Sequence, residues 1–191
     1  MIHLGDDMSN DMRSYLEKKL LETRTILLYG QINQMQAYDI TQKLLLLSAM
    51  SNDDIKLIIN SQGGHVESGD TIFDMIRFVE PKVKIIGTGW VASAGALIYA
   101  SVPQEQRYSL PNTRYMLHQP LGGARGQASD IEIEANEIIK MRQRLNQTFA
   151  DATGHSLEKI EKDSDRNFWL SAEEAKAYNL VGHIISSSSD I

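Results

Sequence analysis

The chemistry of this chain centres on one serine between an apolar run and an alanine-rich run. Residues 83–87 are mostly β-branched or apolar, which predicts a short buried strand. Gly87 and Gly89 interrupt that run, and residues 92–98 favour a helix. Ser93 would therefore lie at a strand-to-helix turn, where the free N–H groups of a helix favour negative charge. An acyl-transfer enzyme needs such a turn for its nucleophile and oxyanion. The alternative is that Ser93 only caps the helix.

Two further features could serve the same chemistry. Gly63 and Gly64 follow the apolar run 55–60, and parallel strands present their carboxyl ends at one edge of a sheet. We therefore expect the glycine turn and the Ser93 turn to lie side by side, so that their N–H groups form one oxyanion hole. His118 ends another strand-like run and is the candidate general base. The alternative is a histidine satisfied within the core.

The elements that must position these residues alternate between strand and helix, which predicts an α/β fold with parallel pairing. Two S-x-x-E motifs, Ser129 with Glu132 and Ser171 with Glu174, predict capping boxes at helix N-termini. Gly154 stands where a C-cap glycine belongs. Strands are predicted at 25–29, 55–60, 83–87, 108–110, 115–118 and 181–185, and helices at 14–23, 37–50, 68–79, 92–98, a long segment after 129 and a short one after 171.

Length and composition limit the organisation and the class of protein. The 191 residues predict one domain, residues 1–191, with an irregular arm at 1–13 and a frayed tail at 186–191. The absence of cysteine excludes a disulfide framework, a thiolate metal site and a cysteine nucleophile. A net charge of −6 without a basic cluster predicts no nucleic-acid partner. No apolar run reaches membrane-spanning length and no signal-peptide pattern begins the chain, so we expect a cytoplasmic protein without a membrane partner. The histidines form no metal-ligand spacing such as H-E-x-x-H, so we expect no metal.

Four segments together carry a family resemblance. They read I-N-S-Q-G-G at 59–64, V-A-S-A-G-A at 91–96, L-H-Q-P-L-G-G-A-R-G-Q-A-S-D-I-E-I at 117–133 and F-W-L-S-A-E-E-A at 168–175. From about residue 14 to 185 the chain resembles ClpP, the family of proteolytic subunits of the Clp protease. The resemblance implies a crotonase-like α/β fold of repeated β-β-α units, with a protruding strand-plus-helix handle at residues 122–153.

The resemblance also implies the activity and the residues that perform it. The chain would be a serine endopeptidase, a hydrolase that works without a cofactor. Its nucleophile falls on Ser93 and its general base on His118. The oxyanion donors fall on the backbone N–H groups of Gly64 and Ala94.

The same resemblance implies an assembly. The family forms a tetradecamer of two stacked heptameric rings, which the handles interlock. Hexameric AAA+ unfoldases of the ClpX, ClpC or ClpA type would feed unfolded polypeptides into its chamber. Asp165 and Arg166 match a pair that touches the opposite ring, here near Gln127 and Asp130.

Three positions depart from the family pattern. The third triad residue is an aspartate in the family, whereas this chain has Asn167. Gln62 replaces the usual proline, and the N-terminal segment matches poorly. An asparagine can accept the Nδ1–H bond of the histidine, but it stabilises the imidazolium less than a carboxylate does. We therefore predict a weak Ser-His-Asn triad, with Asp163 or Asp165 as alternatives for its third member.

Three interpretations of the function follow. The first is a Clp-type peptidase subunit with weak activity of its own. The second is a ring subunit that does little catalysis and works beside a more active paralogue. The third is an acyl-CoA-binding crotonase, because that fold also uses paired backbone donors for an oxyanion. The third interpretation leaves the matches at Ser93 and His118 unexplained.

Overall fold

The computed structural model describes residues 4–123 and 125–191, with the side chains of residues 12, 14–123 and 125–191. Seven strands form one sheet within this part of the chain. The strands are β1 (Thr25–Ile32), β2 (Ile55–Gly64), β3 (Val83–Ala92), β4 (Arg107–Ser109), β5 (Arg114–Leu117), β6 (Phe168–Ser171) and β7 (His183–Ile184). The helices are α1 (Leu4–Glu22), α2 (Gln34–Met50), α3 (Val66–Phe78), α4 (Ala94–Tyr99), α5 (Ala128–Thr153), α6 (Leu157–Asp163) and α7 (Ala172–Ala177), with short 3-10 turns at Gln104–Gln106 and Ser188–Asp190.

The sheet is parallel except at one pair of strands. Its main path runs β1-β2-β3-β4-β7, and β5 pairs with β3 and with β6. The β5–β6 pair alone is antiparallel among the described strands. Helices α2, α3 and α4 follow β1, β2 and β3 in turn, and each packs near the sheet. This is the alternation that the sequence predicts.

The core lies between the sheet and these helices. Strand β2 contributes side chains on alternate positions, and Ile55, Leu57 and Ile59 are fully buried. Helix α2 buries the matching stripe of Ile40 and Leu44. Alternation with a period of two on the strands and three to four on the helices explains how both elements bury one face.

Several element boundaries differ from those that the sequence predicts. Helix α1 begins at Leu4, so residues 4–13 are helical rather than irregular. Residues 1–3 of the predicted arm lie outside the described part. Strand β2 continues through Gly63 and Gly64, because β1 pairs with it up to that point. The last predicted strand shortens to the two residues of β7.

Helix ends also differ in part. The predicted capping box at Ser129 is wrong, because α5 already begins at Ala128 and Gln127 is its N-cap residue. The capping box of Ser171 and Glu174 is confirmed. Gly154 adopts the left-handed conformation, with φ 73°, as a C-cap glycine does. The tail that was predicted to fray contains the 3-10 turn at Ser188–Asp190.

The predicted handle contains its helix, but residues 119–123 and 125–127 form no strand in the single chain. A strand needs the N–H and C=O groups of a neighbour, and these described residues pair with no other strand. Helix α5 has two parts. Its first half exposes Ile131, Ile133 and Ile139, whereas its second half buries Leu145 and Phe149.

A buried arginine joins distant parts of the chain. Arg107 begins β4 and is only 2% exposed. Its guanidinium donates to the carbonyl of Ala152 at 2.7 Å and to that of Leu180 at 3.0 Å. Burial lowers the pKa of this guanidinium. The arginine therefore fastens the end of α5 and the segment before β7 to the sheet.

Candidate active site

Ser93 occupies the turn between β3 and α4. Its backbone has φ 56° and ψ −123°, a conformation that costs free energy for any residue with a Cβ atom. Its N–H donates to the Met116 carbonyl at 2.9 Å, and its own carbonyl accepts from the Leu97 N–H at 3.1 Å. Strand β5 and helix α4 thus both hold the serine backbone, so that the hydroxyl lies at the N-terminus of α4.

His118 follows β5 and faces this serine. The parallel register pairs Ala92 with Met116, one residue before Ser93 and two residues before His118, so the serine and the histidine leave neighbouring strands at the same edge of the sheet. The Ser93 Oγ and His118 Nε2 atoms lie 2.7 Å apart. Burial of the partly buried His118 imidazole lowers its pKa. A neutral imidazole can accept the serine proton, which is what a general base must do.

Asn167 lies opposite His118 because β6 runs antiparallel to β5. The register pairs Leu117 with Phe168, and extending it by one residue brings His118 and Asn167 together. A hydrogen bond that the Asn167 side chain accepts raises the pKa of His118, against the larger effect of burial. The Ser93 contact of this histidine has ordinary hydrogen-bond geometry, and the described chain shows no His118–Asn167 bond that meets the same standard. The asparagine side of the arrangement is therefore the looser one, and Asn167 itself is exposed.

The two neighbouring acids are engaged elsewhere. The Asp163 carboxylate accepts from Lys159 Nζ at 2.6 Å and from the Tyr178 hydroxyl at 2.7 Å. Asp165 lies 3.4 Å from Arg142 on helix α5. These contacts favour Asn167 over either acid as the partner of the histidine.

The glycine turn lies directly against the serine turn. A Cβ atom on Gly63 would stand 2.6 Å from the Cβ of Ser93 and 2.7 Å from the Ala92 carbonyl, so no larger residue fits. Gly63 also has φ +93°. The space that a side chain at position 63 would need is occupied by the serine turn. Gly64 and Ala94, the predicted oxyanion donors, are thereby brought to the same edge of the sheet.

Two cavities adjoin Ser93 and His118. An open cleft of about 400 Å³ passes in front of them, between the Gly63–Gly64 turn and Leu121. Behind the serine is a small enclosed pocket of about 10 Å³, about the room of one water molecule. Besides Ser93 and His118, its walls are apolar: Val66, Ala94, Leu97, Pro120, Leu145 and Phe149.

The residues predicted at a ring–ring contact occupy two separate places. Gln127 and Asp130 lie at the start of α5, and Asp165 and Arg166 lie in the loop before β6. No described contact within one chain joins the two pairs. The Arg166 side chain is 92% exposed, and its nearest charge is the Asp165 carboxylate at 3.9 Å.

Sequence reasoning missed several supporting residues. Gln119 donates its N–H to the Ser164 carbonyl at 2.8 Å and its side-chain amide to the Asp165 carbonyl at 2.7 Å. Asn146 and Ser164 form a buried hydrogen bond. Gln119 belongs to the H-Q-P segment, which could have marked it. Asn146 lies within a helical pattern and carries no local signal.

In residues 4–123 and 125–191, no three His, Cys, Asp or Glu residues cluster in a way that could hold a metal ion. No helix in the described part is long and apolar enough to cross a membrane.

A serine at a strand-to-helix turn with a histidine beside it is the arrangement of a serine hydrolase, here on a mostly parallel α/β sheet. Comparison with known proteins then identifies the family. The family model described as Clp protease matches residues 9–188. The chain therefore belongs to the Clp protease family, as the resemblance implied, and its members named below are proteolytic subunits.

Relatives and solved structures agree with this assignment. ATP-dependent Clp protease proteolytic subunit 3 of Rhizobium etli is 60% identical over 92% of this chain and 90% of its own length. Proteolytic subunit 2 of Pseudomonas aeruginosa is 51% identical over 98% of this chain and 93% of its own. ClpP1 from Listeria monocytogenes has 57% identity and a TM-score of 0.83, covering 92% of this chain and 98% of that one. A mutant of that ClpP1, with asparagine changed to aspartate, has 58% identity and a TM-score of 0.86 over 91% and 98%. The predicted fold class is thereby confirmed.

Proposed function

We propose that this chain is a serine endopeptidase subunit with a Ser93–His118–Asn167 triad and weak activity of its own. The observation that carries the proposal is the 2.7 Å contact between Ser93 Oγ and His118 Nε2 at a strand-to-helix turn. Its substrates are unfolded polypeptides and peptides. In the cytoplasm, an AAA+ unfoldase of the ClpX, ClpC or ClpA type delivers them to stacked heptameric rings of this chain.

The geometry supports a two-step acyl transfer. His118 Nε2 takes the proton of Ser93 Oγ as that oxygen attacks the peptide carbonyl carbon. The carbonyl oxygen becomes an oxyanion, which the N–H groups of Gly64 and Ala94 stabilise. The histidine then gives its proton to the leaving amine, and an acyl-enzyme ester remains. Water, deprotonated by the same histidine, hydrolyses this ester and restores the serine.

The third residue explains why we propose a weak enzyme. The imidazole of His118 gains its positive charge only as the transition state is approached. A nearby carboxylate would therefore stabilise the transition state more than the ground state and lower the barrier to acylation. Asn167 is neutral and offers only its amide dipole. If its NH₂ group instead of its carbonyl faces His118, it also selects the wrong tautomer of the imidazole.

The enclosed pocket beside Ser93 indicates a preference for apolar substrate side chains. Val66, Leu97, Leu145 and Phe149 offer no partner for a charge. The pocket volume of about 10 Å³ is too small for a leucine side chain, so its walls must separate when a substrate binds.

We predict that peptides with leucine or methionine before the cleaved bond are hydrolysed at least about a hundredfold faster than peptides with aspartate there. The reason is that an unpaired charge in an apolar pocket costs several kcal/mol. The measurement is kcat/KM for fluorogenic peptides that differ only at this residue. Equal values for leucine and aspartate would show that this pocket does not receive the side chain.

A second candidate function is a ring subunit that does little catalysis and works with a more active paralogue. The neutral and exposed Asn167, with its looser contact to His118, favours it. A fluorophosphonate probe, mapped to its site by mass spectrometry, separates the candidates. Labelling of Ser93 in the protein alone supports the active subunit, and labelling only in mixed rings supports the second candidate. If Ser93 is labelled in neither sample, both candidate functions are contradicted. That result is the one expected of an acyl-CoA-binding protein.

Arg166→Ala is predicted to give single rings or smaller species and to lower peptidase activity at least about tenfold. Arg166 is a solvent-exposed cation, and we propose that it pairs with the opposite ring near Gln127 and Asp130. Its neighbour Asp165 is bound to Gln119, so a shift of this loop reaches His118. Sedimentation velocity gives the ring state and a fluorogenic peptide gives the activity.

The matched control is Lys162→Ala, which removes another exposed cation from the preceding helix. We expect this variant to keep the ring state and the activity of the parent protein. An Arg166→Ala protein that stays a double ring with normal turnover would contradict the proposed coupling.

A further inference from the structure

A polar pair is buried where helix α5 passes the active-site loop. Asn146 is 3% exposed and Ser164 is 1% exposed. The Ser164 hydroxyl donates to Asn146 Oδ1 at 3.0 Å. The flanking side chains on α5, Leu145 and Phe149, are apolar and line the substrate pocket. An apolar residue would be the ordinary choice at position 146, so the amide calls for an explanation.

The amide is not fully satisfied at this place. Its Nδ2 atom is buried and has no hydrogen-bond partner in the described part of the chain. A buried donor without a partner destabilises the folded state. A gain in stability therefore does not explain an asparagine at position 146. The location of its partner, Ser164, suggests the explanation.

Ser164 connects this buried pair to the segment of His118 and to the segment of Asn167. Its backbone carbonyl accepts the N–H of Gln119 at 2.8 Å, and Gln119 directly follows His118. Ser164 also opens the short segment 164–167 that ends at Asn167. The side chain of Ser164 is thus fixed to α5, and its main chain is fixed to the strand that carries the histidine.

We propose that Asn146 is a positioning residue, which acts through Ser164 to hold Asn167 against His118. This inference rests on the proposed function, because Asn167 is there the third member of the triad. Asn146 does not touch the reacting atoms. It fixes the beginning of a four-residue loop whose far end has the looser contact of the triad.

The test uses a pair of substitutions that separates position from stability. Asn146→Leu alone leaves the Ser164 hydroxyl unpaired, and Ser164→Ala alone leaves the amide unpaired. The double variant, which combines Asn146→Leu with Ser164→Ala, removes both polar groups. Such a double replacement is close to neutral for the free energy of unfolding when the side chains fill a similar volume. We expect its Tm to be within about 3 °C of the parent, and its rate of fluorophosphonate labelling at Ser93 to fall at least about tenfold.

The same double substitution in an Asn167→Ala protein tests whether the fall in labelling rate depends on Asn167. In Asn167→Ala rings, the double substitution should change the labelling rate less than about twofold, because the residue to be positioned is gone. An equal fall in both backgrounds would overturn the proposal, and so would a double variant that labels at the parent rate. Thr153→Val is the matched control. It removes another buried hydroxyl of α5, one that bonds only locally, and should leave the rate unchanged.

Hydrogen exchange tests the inference independently of catalysis. Peptides that cover residues 164–168 should exchange faster in the double variant than in the parent or in Thr153→Val. Unchanged exchange there overturns the positioning role, whatever the labelling shows. A parent protein that never labels, alone or in mixed rings, contradicts the proposed function, while the exchange result still decides whether Asn146 holds the loop.

Discussion

Ser93→Ala is expected to abolish peptide hydrolysis and fluorophosphonate labelling, with a fall in kcat of at least about 10³-fold. The hydroxyl oxygen is the atom that forms the acyl-enzyme, and no other described serine lies within hydrogen-bonding distance of His118. Alanine keeps a Cβ at the strained backbone position, with φ 56°, so the turn and the assembly should persist. Sedimentation velocity confirms the ring state before turnover is compared.

The matched control for this loss is Ser101→Ala. Ser101 is also a buried serine, and its hydroxyl has no hydrogen-bond partner in the described part of the chain. Removing it should leave turnover near that of the parent. Residual hydrolysis by assembled Ser93→Ala rings, at the parent rate, would mean that another group performs the chemistry.

Asn167→Asp is expected to raise kcat by about ten- to a hundredfold in assembled rings. A carboxylate beside His118 stabilises the imidazolium that forms on the way to the transition state. Loss of this carboxylate costs trypsin-like proteases about 10⁴ in kcat. We expect a smaller gain here because position 167 is exposed, and water screens a charge at such a place. The gain should be larger in double rings than in isolated rings, where the loop is less well held.

The pH profile gives this prediction a second readout. In the parent, burial lowers the pKa of His118, so the neutral base persists to a pH below its ordinary titration range. The new carboxylate favours the imidazolium and therefore raises this pKa. The acid limb of kcat/KM should then move to higher pH in the variant, and the gain over the parent should shrink as the pH falls. Turnover of one fluorogenic peptide from pH 5 to pH 8 measures both effects.

Asn52→Asp is the matched control, because it makes the same exchange in the exposed turn between α2 and β2. It should change neither kcat nor the acid limb. If assembled Asn167→Asp rings are no faster than the parent, then alignment of the triad or access to the pocket limits this enzyme, and the charge of the third residue does not.

Most of the fold could be predicted from local pattern. The β-branched runs and helical stripes locate the core strands and helices, because burial of one face produces the period. Boundaries were missed where a partner element decides them. Gly63 and Gly64 suggest an end to β2, but hydrogen bonds with β1 carry the strand through them. The glycine-rich segment before α5 resembles a strand of the family, yet its described residues pair with no other strand in one chain.

The candidate site was predictable in its parts but not in its arrangement. The serine turn, the glycine turn and the H-Q-P segment are each visible in the sequence, and the structure brings Ser93 and His118 to 2.7 Å. Their catalytic roles, and that of Asn167, stay predictions. Asn146 could not have been found, because a contact between residues 18 positions apart depends on how α5 crosses the loop after α6.

The order of the strands along the chain determines when the framework of the candidate site can form during synthesis. His118 lies at the end of β5, and β5 gains its antiparallel partner only from β6. The guanidinium of Arg107 likewise cannot bond to the carbonyl of Leu180 until that residue, 73 positions later, has been synthesised. A ribosome makes the serine and the histidine long before either partner has emerged. An unfinished or truncated chain therefore carries Ser93 and His118 without strand β6 and without the Leu180 contact of Arg107, which complete the framework of the candidate site.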